Sequence, residues 1–287
     1  MMITSLNLGS GQFRKEGYIN VDVTPNSDVQ HNLNDTTLTS KKFKQETKQF
    51  FQQKPSPTFD DSDPIIMAIN DFASRQPYNS VFMDFAGGNG QATRNMNFRS
   101  ILNIDNAQIS MHDNATSIIA DGENLPLKDN SVDCGIAVNV FHHMAGWKGI
   151  SEIARVLKPD ASFLFIDKTS DNPLANACYH IFQYLPRTLR NGIEDDDLSI
   201  DGKPIPIRFF RHNEMKAACI ANNLIPVREE RYKIFSWFIR YIDKFSPVKM
   251  SHAANKAEQL LMQTPAKELC FINLMEVKNI GRNANKV

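Results

Sequence analysis

Short apolar runs recur between residues 81 and 167, and most have the length of a strand. The runs are VFMDF (81–85), ILNID (101–105), SIIAD (117–121), VDCGIAVNV (132–140) and SFLFID (162–167). Between the last two, ISEIARVLK (150–158) has apolar residues at helical spacing and is followed by Pro159, which should stop the helix. Strands that alternate with helices predict an α/β fold with a doubly wound, parallel sheet.

The flanking segments predict further elements. Residues 63–75 and 213–223 have the pattern of helices, and residues 224–231 and 267–277 that of strands. We therefore predict a helical N-terminal extension over 36–80 and a main domain over 81–287. Two insertions, at about 170–207 and 232–264, are expected on the substrate side, because loops at strand ends vary while the sheet is kept.

Composition and charge fit a soluble globular protein. Hydrophobic residues make up 41% of the chain, and 32 Lys and Arg balance 32 Asp and Glu. A neutral chain has no global field that attracts nucleic acid, so no nucleic-acid partner is expected. The four cysteines form no CxxC pair, which disfavours zinc and fits a reducing compartment. The chain lacks a signal-peptide pattern and a membrane-spanning run, so we expect a cytoplasmic protein.

Two stretches of the chain open like a nucleotide-binding unit, with a strand, a glycine turn and a second strand that ends on an acid. They are LNLGSGQFRKEGYINVD (6–22) and the segment from Asp84 to Asp105. In the second, Gly88 and Gly90 allow a tight turn, and Asp105 stands where a carboxylate can accept the hydrogen bonds of a ribose diol. The third glycine of the dinucleotide fingerprint is missing, which weakens an NAD-dependent dehydrogenase without excluding it.

Five motifs downstream of the second loop carry a family resemblance. In order they are Asp121, Leu125-Pro126, Asn130-Ser131-Val132-Asp133, His142-His143 and Arg155-Val156-Leu157-Lys158-Pro159. At this spacing, residues 81–167 closely resemble class I S-adenosylmethionine (SAM)-dependent methyltransferases of the branch that includes quinone-biosynthesis and small-molecule enzymes. The resemblance implies a Rossmann-like sheet of seven strands, with SAM as cofactor. The sequence departs from the family at Ala86, which replaces a glycine, and at Asp160-Ala161, which replace Gly-Gly.

The resemblance also implies roles for individual residues. Gly88 and Gly90 would let the backbone pass beside the methionine part of SAM, and Asp84 would orient the loop and the ligand ammonium. Asp105 would hold the ribose hydroxyls. The full set of implied cofactor-binding residues is Asp84, Ala86, Gly88, Gly90, Asp105, Asn106, Asp121, Gly122, Glu123 and Asn139. Among them, Asp121, Gly122 and Glu123 would hold the adenine edge, and Asn139 would present its carbonyl to the ammonium. No metal site is expected.

His142 and His143 are the candidate catalytic residues. A histidine titrates near neutrality and can take a proton from a methyl acceptor. If His143 is the base, replacing it with alanine should lower turnover by about 10²–10⁴. Two other interpretations stay open, namely histidines that only pack against the loop, and methyl transfer by positioning without a dedicated base.

The function favoured by the sequence is methyl transfer from SAM to a small-molecule acceptor. An RNA or protein methyltransferase on the same fold, or a non-catalytic SAM-binding scaffold, are the alternatives. The basic, aromatic stretch 231–249 can form a peripheral membrane contact or a lid over an apolar substrate pocket, which suggests a hydrophobic or lipid-like acceptor. A helix pair packed on the sheet is the simpler interpretation of the same stretch. The sequence does not predict an oligomeric state.

Residues 1–35 resemble the opening of a second methyltransferase, but the downstream motifs do not follow. Two or three strands cannot build or cover a core of their own. We therefore interpret this segment as a partial duplicate that packs on the main domain or pairs with a sheet edge, and we place the cofactor at Gly88–Gly90.

Overall fold

A computed structural model describes the chain in several continuous pieces. These are residues 64–106, 115–144, 146–173, 210–232 and 263–281, with short strands at 5–8, 18–21, 199–200 and 203–204 and isolated residues at 177 and between 253 and 261. The predicted helix within 170–207 and most of the basic stretch 231–249 lie outside the described residues. In the described part, no helix is long and apolar enough to cross a membrane.

Eleven strands and three α-helices make up the described secondary structure. The strands are β1 (Ser5–Leu8), β2 (Tyr18–Val21), β3 (Val81–Phe85), β4 (Ser100–Asp105), β5 (Ala115–Ile119), β6 (Val132–Val138), β7 (Leu157–Lys168), β8 (Ser199–Ile200), β9 (Lys203–Pro204), β10 (Leu224–Tyr232) and β11 (Ile272–Asn279). The helices are α1 (Pro64–Ser74), α2 (Lys148–Val156) and α3 (His212–Ala221), and 3-10 turns cover Gln91–Thr93, Phe141–His143 and Pro265–Leu269.

Seven strands form one sheet in the order β10-β11-β7-β6-β3-β4-β5. All neighbours pair in parallel except where β11 runs antiparallel to both β7 and β10. The predicted seven-stranded, mostly parallel α/β sheet is thereby confirmed. The chain fills the sheet from β3 outward in one direction and from β6 outward in the other, so the order reverses between these two strands. In open α/β sheets, ligands bind at the carboxyl ends of the strands at such a point.

The sheet has a hydrophobic core on each face. Successive residues of a strand point to opposite faces, so Phe82 packs on one side and Met83 on the other. The Met83 side is covered by α2, whose Ile150, Ile153 and Val156 are fully buried. The Phe82 side is covered by α1. Burial on both faces explains why the central strands are almost continuously apolar.

Helix α1 belongs to this core, although it precedes the predicted start of the main domain at residue 81. Its Ile69 and Phe72 are buried against the Phe82 side of the sheet. Arg75, just beyond the helix, makes a bidentate hydrogen bond to Glu276 of β11, at 2.9 and 2.8 Å. The domain boundaries themselves stay predictions, and residues 36–63 lie outside the described part.

Three predicted elements have different limits. The strand expected at 117–121 covers Ala115–Ile119, which leaves Asp121 in the turn beyond it. The helix expected over 150–158 ends at Val156, and β7 begins at the next residue, because Pro159 forces the residue before it into an extended conformation. The strand expected from 267 begins at Ile272 instead, because Thr264 and Pro265 start a 3-10 turn that takes up Lys267.

The two N-terminal strands form a separate sheet. β1 and β2 pair in parallel, with Ser5 opposite Tyr18 and Leu8 opposite Val21. Among the described residues, neither strand pairs with the seven-stranded sheet.

Candidate functional site

The turn after β3 contains three left-handed residues. Ala86 has φ 53°, Gly88 has φ 54° and Gly90 has φ 72°. Glycine adopts this conformation without strain, whereas alanine pays roughly 1–2 kcal/mol for it. The turn therefore needs the two predicted glycines for its backbone angles, and it keeps one strained position at Ala86.

Gly87 is a third required glycine that the sequence analysis missed. A Cβ placed on it would lie 2.3 Å from Cγ of Asp84 and 2.6 Å from Nδ2 of Asn103. The turn thus lies directly over these two side chains. The run AGGNG could have drawn attention to Gly87, but only the fold shows which of its glycines has a neighbour at contact distance.

Asp84 lies beneath the turn and is 1% exposed. The hydroxyl of Thr93 donates a hydrogen bond to its Oδ2 at 3.0 Å. Burial, together with the negative charge of Asp105, raises the pKa of Asp84 to about 7 in spite of that hydrogen bond. The turn is therefore held over a carboxyl group that is partly protonated near neutral pH.

Asp105, at the end of β4, contacts the turn directly. Its Oδ2 accepts a hydrogen bond from the backbone N–H of Gly88 at 3.0 Å. Asn103 donates its side-chain amide to the carbonyl of Gly88 at 3.4 Å, and its own Oδ1 is buried without a hydrogen-bond partner among the described residues. The structure thus brings Asp84, Gly88 and Asp105 together as predicted. Asn106, the following residue, is half-buried.

The turn after β5 contains the predicted adenine-side residues. Asp121 accepts the backbone N–H of Glu123 on its Oδ1 at 2.9 Å, which fixes the turn. A Cβ on Gly122 would lie 2.6 Å from Cζ of Phe85, so this turn packs against the end of β3. The three residues therefore lie beside the strand that leads into the glycine turn.

Glu152 and Arg155 on α2 hold the next part of that segment. Arg155 donates to the carbonyls of Leu125 at 2.9 Å and Leu127 at 2.7 Å. Glu152 accepts the backbone N–H of Leu125 at 2.8 Å and also pairs with Arg155. The Leu-Pro and Arg-Val-Leu-Lys-Pro motifs are thereby linked, because Arg155 of the second motif holds the backbone around the first.

The loop after β6 contains the remaining predicted residues. Asn139 has φ 55° and donates its N–H to the carbonyl of Ile166 at 2.8 Å. His142 is fully buried, and its Nδ1 lies 2.5 Å from Oδ1 of Asp167. The ring of His143 lies beside that of His142, with centroids 4.1 Å apart.

Both histidines are neutral near pH 7. Burial lowers the pKa of His142 although Asp167 opposes the shift. Burial, helped by His142 and Lys168, lowers the pKa of His143 to about 3. Nδ1 of His143 is buried and has no hydrogen-bond partner among the described residues. Asp167 was missed as a site residue, because its role depends on N–H groups of the loop after β6, which are distant from it in the sequence.

The glycine turn and the histidine loop follow neighbouring strands. β3 and β6 pair in parallel, with Phe85 opposite Ala137, so their carboxyl ends share one edge of the sheet at the point where the strand order reverses. A buried carboxyl and a strained backbone turn lie there. The adjacent strand β4 adds a second carboxylate and an amide oxygen that has no hydrogen-bond partner among the described residues. This set fits a nucleoside ligand that carries a ribose diol and an ammonium group.

Comparisons with known proteins agree with this geometry. Residues 83–165 match the family model described as methyltransferase domain. No curated protein gives a significant match. Among solved structures, a chain from the complex of the Haloferax volcanii Trm112 methyltransferase activator with its methyltransferase has a TM-score of 0.50 at 16% identity, over 74% of this chain and 88% of that one. Geranyl diphosphate C-methyltransferase from Streptomyces coelicolor A3(2) has a TM-score of 0.50 at 10% identity, over 83% and 98%. These two likenesses show the fold.

Proposed function

We propose a small, apolar molecule as the methyl acceptor of this chain, which is a class I SAM-dependent methyltransferase. The observation that carries the proposal is a group of aromatic side chains at the edge of the sheet where the predicted cofactor residues lie. Phe141, Trp147 and Phe210 form this group, and we call it the aromatic wall.

The aromatic wall begins within the histidine loop, at Phe141, and is extended by Trp147 and Phe210. The rings of Trp147 and Phe210 meet edge to face with centroids 5.0 Å apart, and the Phe141 ring lies 6.4 Å from Trp147. Phe141 and Phe210 are buried, whereas Trp147 is only half-buried. A half-buried tryptophan beside buried aromatic rings can offer an apolar acceptor a contact surface.

The cofactor SAM contributes a methyl group on a sulfonium leaving group. We propose that the chain binds it through residues at the carboxyl ends of β3, β4, β5 and β6. Asp105 would bind the ribose hydroxyls while its Oδ2 keeps the Gly88 N–H. Ala86, Gly88 and Gly90 would give the ligand close access to the backbone, and Asp84 would support that turn from below. Asp121, Gly122, Glu123 and Asn106 would line the adenine side, and the Asn139 carbonyl would accept from the ligand ammonium.

His143 is the proposed base. Its buried Nδ1 can accept a hydrogen bond from an acceptor hydroxyl or amine. Because its pKa is about 3, it is a weak base, and we expect His143→Ala to lower kcat near the lower end of the general-base range, by about 10². The same pKa predicts that titration of His143 causes no change in kcat/KM between pH 5.5 and 7.5. A loss below tenfold with cofactor binding intact would remove His143 from this role.

The acceptor class can be tested by following a labelled methyl group. The protein is incubated with methyl-labelled SAM and a cell extract divided into solvent-extractable small molecules, RNA and protein. We expect label in the solvent-extractable pool, and we expect Trp147→Ala to raise KM for that pool while the affinity for SAM stays unchanged. Gly88→Val is the inactive control. Label confined to RNA or protein would overturn the acceptor proposal.

A further inference from the structure

Asp167 receives four N–H donors on one buried carboxylate. Its Oδ2 accepts from the backbone of Phe141 at 2.6 Å and of Val140 at 3.1 Å. Its Oδ1 accepts from the backbone of Lys168 at 2.7 Å and lies 2.5 Å from Nδ1 of His142. A carboxylate has about four acceptor positions, so these contacts fill it. Although Asp167 lies in β7, one residue before its end, three of its four partners belong to the loop after β6.

These contacts provide hydrogen-bond acceptors for N–H groups that have no acceptor within the loop itself. Phe141–His143 is a 3-10 turn, and the first N–H groups of such a turn have no partner within it. The residue at its N-cap is Val140, whose side chain has no polar atom. The carboxylate of Asp167 therefore caps the turn from a neighbouring strand.

The protonation states of the pair follow from their surroundings. Burial would raise the pKa of Asp167, but His142 and the backbone N–H groups hold it below its usual value. Burial lowers the pKa of His142, so its ring is neutral. A neutral imidazole facing a carboxylate carries its proton on the facing nitrogen, which here is Nδ1.

The fixed ring is in contact with the proposed base. The His142 and His143 rings are inclined by 45° with their centroids 4.1 Å apart. The backbone N–H of His143 is also bonded within the turn, to the carbonyl of Val140 at 3.0 Å. Asp167 thus acts on the orientation of His143 through both the turn and the His142 ring.

We infer that Asp167 is a positioning residue for methyl transfer, which caps the Val140–His143 turn and fixes the tautomer of His142 so that His143 is held toward the acceptor. The inference rests on the proposed role of His143. Asp167 itself touches neither the cofactor nor the acceptor in this scheme.

The test compares Asp167→Asn with Asp133→Asn in the full chain. Asp133 is a hydrogen-bonded, half-buried carboxylate at the opposite end of the sheet, where it accepts from Lys158 and from the backbone of Val81. Nitrogen-detected NMR of the histidine rings, with assignment by His142→Asn, reports the tautomer without turnover. We expect the Nδ1–H form in the wild type and in Asp133→Asn, and loss of that form in Asp167→Asn.

Kinetics give the second measurement. The assay uses whichever pool accepts label in the experiment above, so that a wrong acceptor class and a wrong role for Asp167 give different results. We expect Asp167→Asn to lower kcat by about 10–100-fold, as for other residues that orient a functional histidine, with less than a threefold change in the affinity for SAM. In a His143→Ala background the same substitution should have little further effect.

Three outcomes would overturn the inference: an unchanged His142 tautomer, a kcat loss no larger than that of Asp133→Asn, or full additivity with His143→Ala. If Asp167→Asn does not fold, His142→Asn replaces it. This variant keeps a donor toward Asp167 but removes the ring beside His143, and it should lower kcat to a similar extent. If His142→Asn had the kcat of the wild type, this would contradict the proposal that Asp167 positions His143 through the His142 ring.

Discussion

The chain contains two pairs of parallel strands joined by a glycine-bearing stretch, and only one of them lies in the main sheet. β1 and β2 pair over four residues and form a sheet of their own. β3 and β4 pair in the same parallel manner, but β6 and β5 flank them and apolar cores cover both faces. The local pattern is shared, but among the described residues only β3 and β4 pair with further strands.

This difference shows that a glycine turn forms a candidate binding site when adjacent strands supply side chains that contact the turn. The turn after β3 lies over Asp84 and Asn103 and bonds to Asp105 of the adjacent strand. The family match likewise covers residues 83–165 and does not include β1 or β2. Two paired strands alone give no such support, because they cannot bury a core.

The largest effects are expected when the two glycine loops, one after β1 and one after β3, are altered one at a time. Valine at position 88 cannot adopt a φ of 54° without strain, so Gly88→Val should weaken SAM binding by about 100-fold or more, equivalent to about 2.7 kcal/mol. Asp105→Ala should sharply weaken it as well. Deletion of residues 1–35 should leave binding within about threefold, which is below 1 kcal/mol.

Calorimetric titration measures all three variants. Gly146→Val is the matched control, because a Cβ at Gly146 meets no atom of the described residues within 4 Å. If the deletion abolished binding while Gly88→Val did not, the cofactor would belong to the first loop.

The second test removes a downstream motif that the first loop lacks. Arg155 holds the backbone of Leu125 and Leu127 through charge-assisted hydrogen bonds. Arg155→Met would leave two carbonyls and Glu152 without this donor, and we expect it to lower the free energy of unfolding by about 2–3 kcal/mol. Denaturant titration measures the loss, with the exposed Arg99→Met as control. If Arg155→Met and Arg99→Met were equally stable, the hydrogen bonds of Arg155 to Leu125 and Leu127 would not stabilise this segment.

A third test uses the buried carboxyl beneath the turn. The folded-state pKa of Asp84 is about 7, above its ordinary value of 3.8, so between these values the folded protein keeps a proton that the unfolded chain has lost. Its contribution to stability is full below pH 4 and is lost as the pH rises toward 7 and above, with a slope of at most about 1.4 kcal/mol per pH unit.

Asp84→Asn should flatten this pH dependence, because an amide stays neutral and can still accept from Thr93. The free energy of unfolding of the cofactor-free protein, measured from pH 4 to pH 8, is the readout. Parallel curves for wild type and variant would mean that Asp84 is already ionised in the folded state.

The smallest expected effect concerns Ala86. Glycine there would relieve the left-handed strain of roughly 1–2 kcal/mol but would add entropy to the unfolded chain. We expect Ala86→Gly to stabilise the protein by about 0.5–1 kcal/mol. Ala154→Gly, in the interior of α2, should destabilise it by a similar amount. Thermal melts of both variants give the comparison, and a loss of stability in Ala86→Gly would show that the strain is absent.

Much of the site could be predicted because its residues occur at fixed positions after strands. Gly88 and Asp105 were identified as a turn glycine and a strand-ending acid, and the structure shows that they contact each other. Gly87, Arg155 and Asp167 could not be found in this way as site residues. Their roles depend on atoms that are distant in the sequence, such as the carbonyl of Leu125 for Arg155 and the N–H of Phe141 for Asp167.

The sequence by itself determined the fold class, the strand and helix succession of the core and the segment that carries the family match, because periodicity and local motifs depend on neighbours within a few residues. Only the tertiary structure decided that α1 completes the core, that β1 and β2 pair with each other and, among the described residues, with no strand of the main sheet, and that Asp167 holds the histidine loop. Each of these depends on burial and hydrogen bonds between distant segments, and such contacts leave no mark in the local pattern of the chain.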